Sequence, residues 1–148
     1  MSTNYSFSNS LSFLITAAEL YLKAELGRRL KPFRLTTEQW AVLNLLWDTD
    51  GVTQKTLAVR SLKDQPNMTR ILRRLEQKGL IVRTGNNEDR RSFLITLTPK
   101  GQHLREATID LALEIRKQAF AGLNEKECAL LSVMLARINN NLLGMRSV

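Results

Sequence analysis

The chain has 148 residues, a hydrophobic fraction of 43% and a formal net charge of +8, which fits one domain or one binding module built into a helical scaffold. No apolar run approaches the roughly 18 residues of a membrane span, and the polar start Met1–Asn9 lacks the basic and apolar regions of a signal peptide. The single cysteine, Cys128, excludes an intramolecular disulfide and agrees with a reducing, cytoplasmic compartment.

Leu11, Leu14, Ile15, Ala18, Leu22 and Leu26 recur at helical spacing, which predicts a long first helix over about Phe7–Leu30, ended near Pro32. Thr36-Thr37-Glu38-Gln39 forms a capping box, with the Thr36 hydroxyl capping and Gln39 reaching back. It opens a second helix that turns Trp40, Leu43, Leu46 and Trp47 to a core. Asp48–Gly51 is a turn by composition, and Thr53 is placed to cap a short third helix carrying Leu57 and Ala58. A fourth helix runs to Lys78, capped by Asp64 or Gln65, with Pro66 in the first turn where no amide bond is lost. Met68, Ile71, Leu72 and Leu75 make its apolar stripe, and Gly79 is a left-handed stop. The period then switches to two: Leu80–Arg83 and Phe93–Leu97 read as short strands around a polar tip, Gly85–Ser92. Thr98-Pro99 starts a fifth helix to about Ala121, and Asn124-Glu125-Lys126-Glu127 starts a last one ending near Leu143.

The charge is concentrated in one part of this pattern. From Thr53 to Arg105 there are twelve cations and four anions, a net +8, while the remainder of the chain sums to zero. A generally soluble surface would spread its charge. Concentrated cations suit a phosphate backbone, because each neutralised phosphate releases a counterion. Anionic membranes and acidic proteins attract such patches too, so the motifs must choose among them.

Two short helices, a hairpin with a polar tip and this charge together describe a winged helix–turn–helix. The fold class expected is mostly α with a small β-hairpin wing, the winged domain being embedded in an α-helical dimerisation domain. With the stripe of the fourth helix buried, its other face is left to Pro66, Asn67, Thr69, Arg70, Arg73, Arg74 and Gln77. Small polar residues let a helix enter the major groove closely, and Arg can bond guanine in bidentate fashion or hold phosphates. In the wing, Asp89-Arg90-Arg91 places arginines where a minor groove or flanking phosphates can be reached. Asp89 would repel phosphate, so it is expected to brace a neighbouring arginine.

Four stretches resemble the MarR family of bacterial transcription regulators: Leu35–Leu43, Met68-Thr69-Arg70, Leu75–Ile81, and Asp89-Arg90-Arg91 followed by Leu97-Thr98-Pro99-Lys100-Gly101. They stand in order at suitable spacing, and the likeness covers nearly the whole chain. It implies a homodimer that binds a pseudo-palindromic double-stranded DNA operator. Residues 1–34 and 101–148 are then dimerisation helices, and 35–100 the DNA-binding region. By the family pattern Pro66, Asn67, Thr69 and Arg70 match groove-reading positions and Arg91 the wing-tip arginine. Arg73 and Arg74 are candidates for the same face, one of them able to brace the wing or contact a phosphate instead of a base. The family often carries Ser where this chain has Pro66, so a different base preference is expected.

The terminal helices have nearly balanced charge and broad apolar stripes, Leu131, Met134, Leu135, Ile138 and Leu142 in the last one. So much apolar surface needs partners on several sides, and a second copy supplies them. Many MarR-like proteins take a small-molecule effector between dimer helices and reading module, for which Tyr21, Phe33, Trp40 and Trp47 are the candidate lining here. Redox-sensing relatives carry a reactive N-terminal cysteine, which this sequence lacks; Cys128 is expected to be buried and inert. No catalytic constellation, cofactor motif or metal set is apparent, His103 having no nucleophile spaced to use it. The competing reading is a winged-helix protein-interaction module without operator binding, since the fold alone does not oblige DNA binding.

Overall fold

The computed structural model describes residues 7–146, so most of the polar N-terminal stretch lies outside the described residues. They comprise helices α1 (Leu11–Leu30), α2 (Thr37–Asp48), α3 (Gln54–Ser61), α4 (Gln65–Gln77), α5 (Pro99–Ala119) and α6 (Glu125–Met145), with strands β1 (Val52–Thr53), β2 (Ile81–Gly85) and β3 (Phe93–Leu97). Single turns of tighter helix flank α1 at Phe7–Asn9 and Lys31–Phe33. The contacts divide the chain into two compact units that meet in sequence at Leu113 and Glu114.

In the first unit, local chemistry sets the element ends. α1 begins at Leu11 rather than Phe7, because Ser10 caps it by accepting from Phe13 N–H at 3.2 Å. After Pro32, Arg34 takes a left-handed conformation (φ 55°) that turns the chain into α2. The Thr36/Gln39 capping box forms reciprocally as expected. Gly79 (φ 69°) ends α4, and the Leu80 amide returns to the Leu75 carbonyl at 3.0 Å.

The sheet has one strand more than the hairpin predicted. β1 pairs antiparallel with β3, Val52 opposite Ile95, so the order is β1-β3-β2. A two-residue strand has no period to detect, and its partner lies more than forty positions away. Asp50 makes the join: one carboxylate oxygen accepts from the Gly51 amide at 3.0 Å and the Leu97 amide at 2.9 Å. In the β2–β3 hairpin Ile81 faces Leu97, and these side chains point to the core with Ile95.

That core joins Leu30, Leu43, Leu46, Leu57, Met68, Leu72 and Leu75 to the sheet. Gly101 in the first turn of α5 is packed so closely that an added Cβ would lie 2.2 Å from the Leu80 carbonyl oxygen. The Gly101 carbonyl also accepts the Trp47 indole N–H at 3.1 Å. Wing, α2 and the start of α5 therefore meet at one glycine.

The second unit holds the end of α5 and all of α6. Gly122 (φ 90°) turns the chain, and Asn124 and Glu127 form the expected capping box at 2.8 and 2.9 Å. α5 stops two residues short of the expected Ala121, and α6 runs two past Leu143. Within one chain α6 buries no residue.

Candidate nucleic-acid interface

The helix–turn–helix is built from α3, a tight turn and α4. Thr53 caps α3 through the Thr56 amide, and Leu62 (φ 56°) makes the left-handed turn between the helices. Asp64, one of the two expected caps, accepts from the Asn67 amide at 2.8 Å and from the Asn67 side chain at 3.2 Å. An anion at a helix start also complements the partial positive charge there.

Met68, Ile71, Leu72 and Leu75 are buried, which fixes the roll of α4. Burial of four such side chains contributes roughly 1.5–3 kcal/mol each, so the opposite face is held outward. On it Pro66, Asn67, Thr69, Arg70, Arg73 and Arg74 are all exposed. The six expected reading residues thus share one solvent-facing surface.

This surface is pre-organised by cross-helix bonds. Gln54 of α3 donates to the Thr69 hydroxyl at 2.7 Å and to Gln65 Oε1 at 3.2 Å. Arg70 Nη2 lies 3.4 Å from Asn67 Oδ1 and 3.5 Å from Glu38 Oε2, whose other oxygen is 3.5 Å from Lys63 Nζ. Gln54, Lys63 and Glu38 were not singled out in sequence, because each acts through a residue distant along the chain.

The basic segment is not uniformly free. Lys78 Nζ donates to the Arg34 carbonyl and, at 2.7 Å, to Gln39 Oε1. Partial burial, with Arg74 nearby, pulls its pKa below the usual lysine value. Lys78 therefore ties the end of α4 to the α1–α2 corner instead of facing outward. Arg83 likewise sits 3.4 Å from Glu76.

At the wing tip Asp89, Arg90 and Arg91 are exposed. Asp89 shapes the loop backbone instead of holding an arginine side chain: its carboxylate accepts the Arg91 amide at 2.9 Å, and its carbonyl accepts the Ser92 amide at 3.0 Å. Among the described residues no ion pair joins Asp89 to either arginine side chain. Asn86 closes the loop on the Ser92 hydroxyl at 2.9 Å.

The candidate effector residues separate. Trp47 is in the core, Phe33 and Trp40 are half-buried against it, and Tyr21 is 72% exposed on α1. The Trp40 indole N–H is buried without an acceptor. Cys128 is half-buried rather than buried. Among the described residues no group of His, Cys, Asp and Glu is placed to hold a metal, and no helix is long and apolar enough to cross a membrane.

Residues 35–93 match the model of the MarR family. The organic hydroperoxide resistance transcriptional regulator of Bacillus subtilis (strain 168) is 33% identical over 129 residues, which cover 85% of this chain and 88% of that protein. The chain belongs to the MarR family. Among solved structures, the S. aureus MepR–DNA complex superposes on this MarR-family chain with a TM-score of 0.85 at 28% identity, covering 93% of this chain and 99% of that one. Bordetella bronchiseptica BpsR, whose DNA binding is regulated by 6-hydroxynicotinic acid, gives 0.84 at 27% identity, covering 91% and 96%. The protein is a winged-helix transcriptional regulator, and its named relatives are regulators rather than enzymes.

Proposed function

We propose that this MarR-family regulator works in the cytoplasm as a homodimer that binds a pseudo-palindromic double-stranded DNA operator. In this reading a small-molecule effector weakens that binding. The observation that carries it is the exposed face of α4, which presents Arg70, Arg73 and Arg74 above a stripe that is fully buried. Pro66, Asn67, Thr69 and Arg70 enter the major groove, and Arg90 and Arg91 reach the flanking minor groove or phosphates. Arg73 and Arg74 contact phosphate, and Asp89 shapes the wing loop. Residues 35–100 form the reading region, and residues 1–34 and 101–148 form the dimer, which sets two half-sites about 34 Å apart. Bound across a promoter, such a dimer excludes polymerase and represses.

For the effector, the support is the unpaired Trp40 indole N–H, on a side chain that, like Phe33, is half-buried against the core. A buried donor without an acceptor costs about 1–3 kcal/mol, and a carboxylate or hydroxyl on a small ligand would satisfy it. Regulation of BpsR by 6-hydroxynicotinic acid is the parallel among structural relatives. Tyr21 and Trp47 line the approach in this reading only after a change in α1 or the core.

Gel shifts with genomic fragments at several salt concentrations test the reading surface. Arg70→Ala should cost about 1–3 kcal/mol and relax preference at one base pair. Arg91→Ala should weaken all sequences more evenly and flatten the salt dependence by about one phosphate contact. Unchanged binding in both variants would remove the assignment of this surface.

A further inference from the structure

We propose that Glu38 determines specificity on this surface by holding Arg70 and Lys63 back from indiscriminate phosphate contact, so that non-operator DNA is bound weakly. The inference rests on the DNA-binding reading above. Glu38 belongs to the first turn of α2, outside both the reading helix and the wing. Its Oε2 faces Arg70 Nη2 and its Oε1 faces Lys63 Nζ, each at 3.5 Å. One acid from α2 thus bridges the turn before α4 and the middle of α4.

The bridge is weak by construction. Both distances are long, and the Arg70 side chain is 60% exposed, so each pair contributes about 1 kcal/mol or less in the free protein. A strong lock would oppose the operator as well. A weak one only has to be more costly to break against phosphates than against bases. On random DNA, Lys63 and Arg70 gain phosphate contacts only by leaving Glu38, whose carboxylate repels the same phosphates. On the operator, a bidentate contact from Arg70 to a base edge is worth about 1–3 kcal/mol and offsets the loss of its long bonds to Glu38 and Asn67. Glu38 therefore acts on the ratio of the two affinities.

The test compares the full-length wild-type protein and Glu38→Gln on an operator duplex selected from random sequence and on a shuffled duplex, across a KCl series. Glutamine keeps the length of the side chain and removes the charge. The shuffled duplex should bind about fivefold more tightly, its log K against log salt slope steepening by up to about 1.8 for two phosphates. The operator should gain about twofold or less, so the discrimination ratio falls. In a Lys63→Ala/Arg70→Ala background, which also covers any fold defect peculiar to the single variant, Glu38→Gln should relieve only its direct repulsion of phosphate and steepen the slopes by less than half as much. An unchanged ratio, a rising ratio, or the same steepening in the background lacking both cations overturns the role of Glu38 while leaving DNA binding intact. Failure of the wild type to bind any duplex at low salt overturns the DNA-binding reading itself, and this inference with it.

Discussion

The stretch from Leu35 to Leu97 and helix α6 treat their apolar residues in opposite ways. The first gathers apolar residues from three helices and two strands into a shared core, leaving an exterior that is cationic but keeps Val59, Leu62, Val82 and Phe93 exposed. α6 is as regular and as well capped, yet in the single chain it only half-buries Leu131, Leu135 and Ile138, and Leu130 and Val133 remain 58% and 57% exposed. α1 resembles it, with Leu11, Leu14 and Leu20 more than half exposed. Contiguous exposed apolar residues on this scale mark an interaction surface. The winged module buries its core within one chain, whereas the terminal helices leave much of their apolar surface exposed. The charge follows the same division, since the whole excess of +8 lies between Thr53 and Arg105.

The largest expected break in this comparison comes from putting charge on α6. Leu130→Asp with Val133→Asp should weaken dimerisation at least about 100-fold, because two buried aliphatic side chains contribute roughly 1.5–3 kcal/mol each. Operator affinity should fall in parallel, while the thermal unfolding of the module stays near wild type. Analytical ultracentrifugation checks the first effect; an unshifted dimer constant would place the interface elsewhere. A smaller break comes from inside the module. Gly101→Ala sets a methyl group 2.2 Å from the Leu80 carbonyl oxygen, and the backbone shift required should cost about 3 kcal/mol. Urea unfolding would measure it, and a loss under about 0.5 kcal/mol would mean that α5 moves away freely.

Much of the module was legible because its signals are local. The Thr36/Gln39 box, the Asp64 cap, the Gly79 stop and the Thr98-Pro99 start each depend on residues within a few positions. The exposed face of α4 followed from its apolar stripe, since burying Met68, Ile71, Leu72 and Leu75 leaves Asn67 and Arg70 facing outward. What was hidden depends on distant partners. β1 exists through pairing with Ile95 and Leu94. Glu38 and Gln54 gain meaning only when α2 and α3 are laid against α4. Lys78 counted as a phosphate cation in the sequence but spends its donors on Arg34 and Gln39. Charge counting sees how many cations there are and not which way they face.

The smallest expected effect sharpens the comparison at the end of α1, where surface ions do part of the work that packing does in the module. Glu25 accepts from Arg28 Nη2 at 2.6 Å and from Arg29 Nε at 2.6 Å. These bonds, to Arg28 first and Arg29 second, lower its pKa from 4.5 to about 2. A carboxylate depressed in the folded state adds stability that is fully present above its unfolded value and is lost as pH falls through the folded one. The wild type should therefore melt slightly above Glu25→Gln at neutral pH, with a gap that closes between about 4.5 and about 2. The site is exposed, so the gap should also shrink with added salt. Parallel melting curves across that acid range would show that the unfolded chain keeps the same ion pairs. A gap indifferent to salt would show that Glu25 acts through packing.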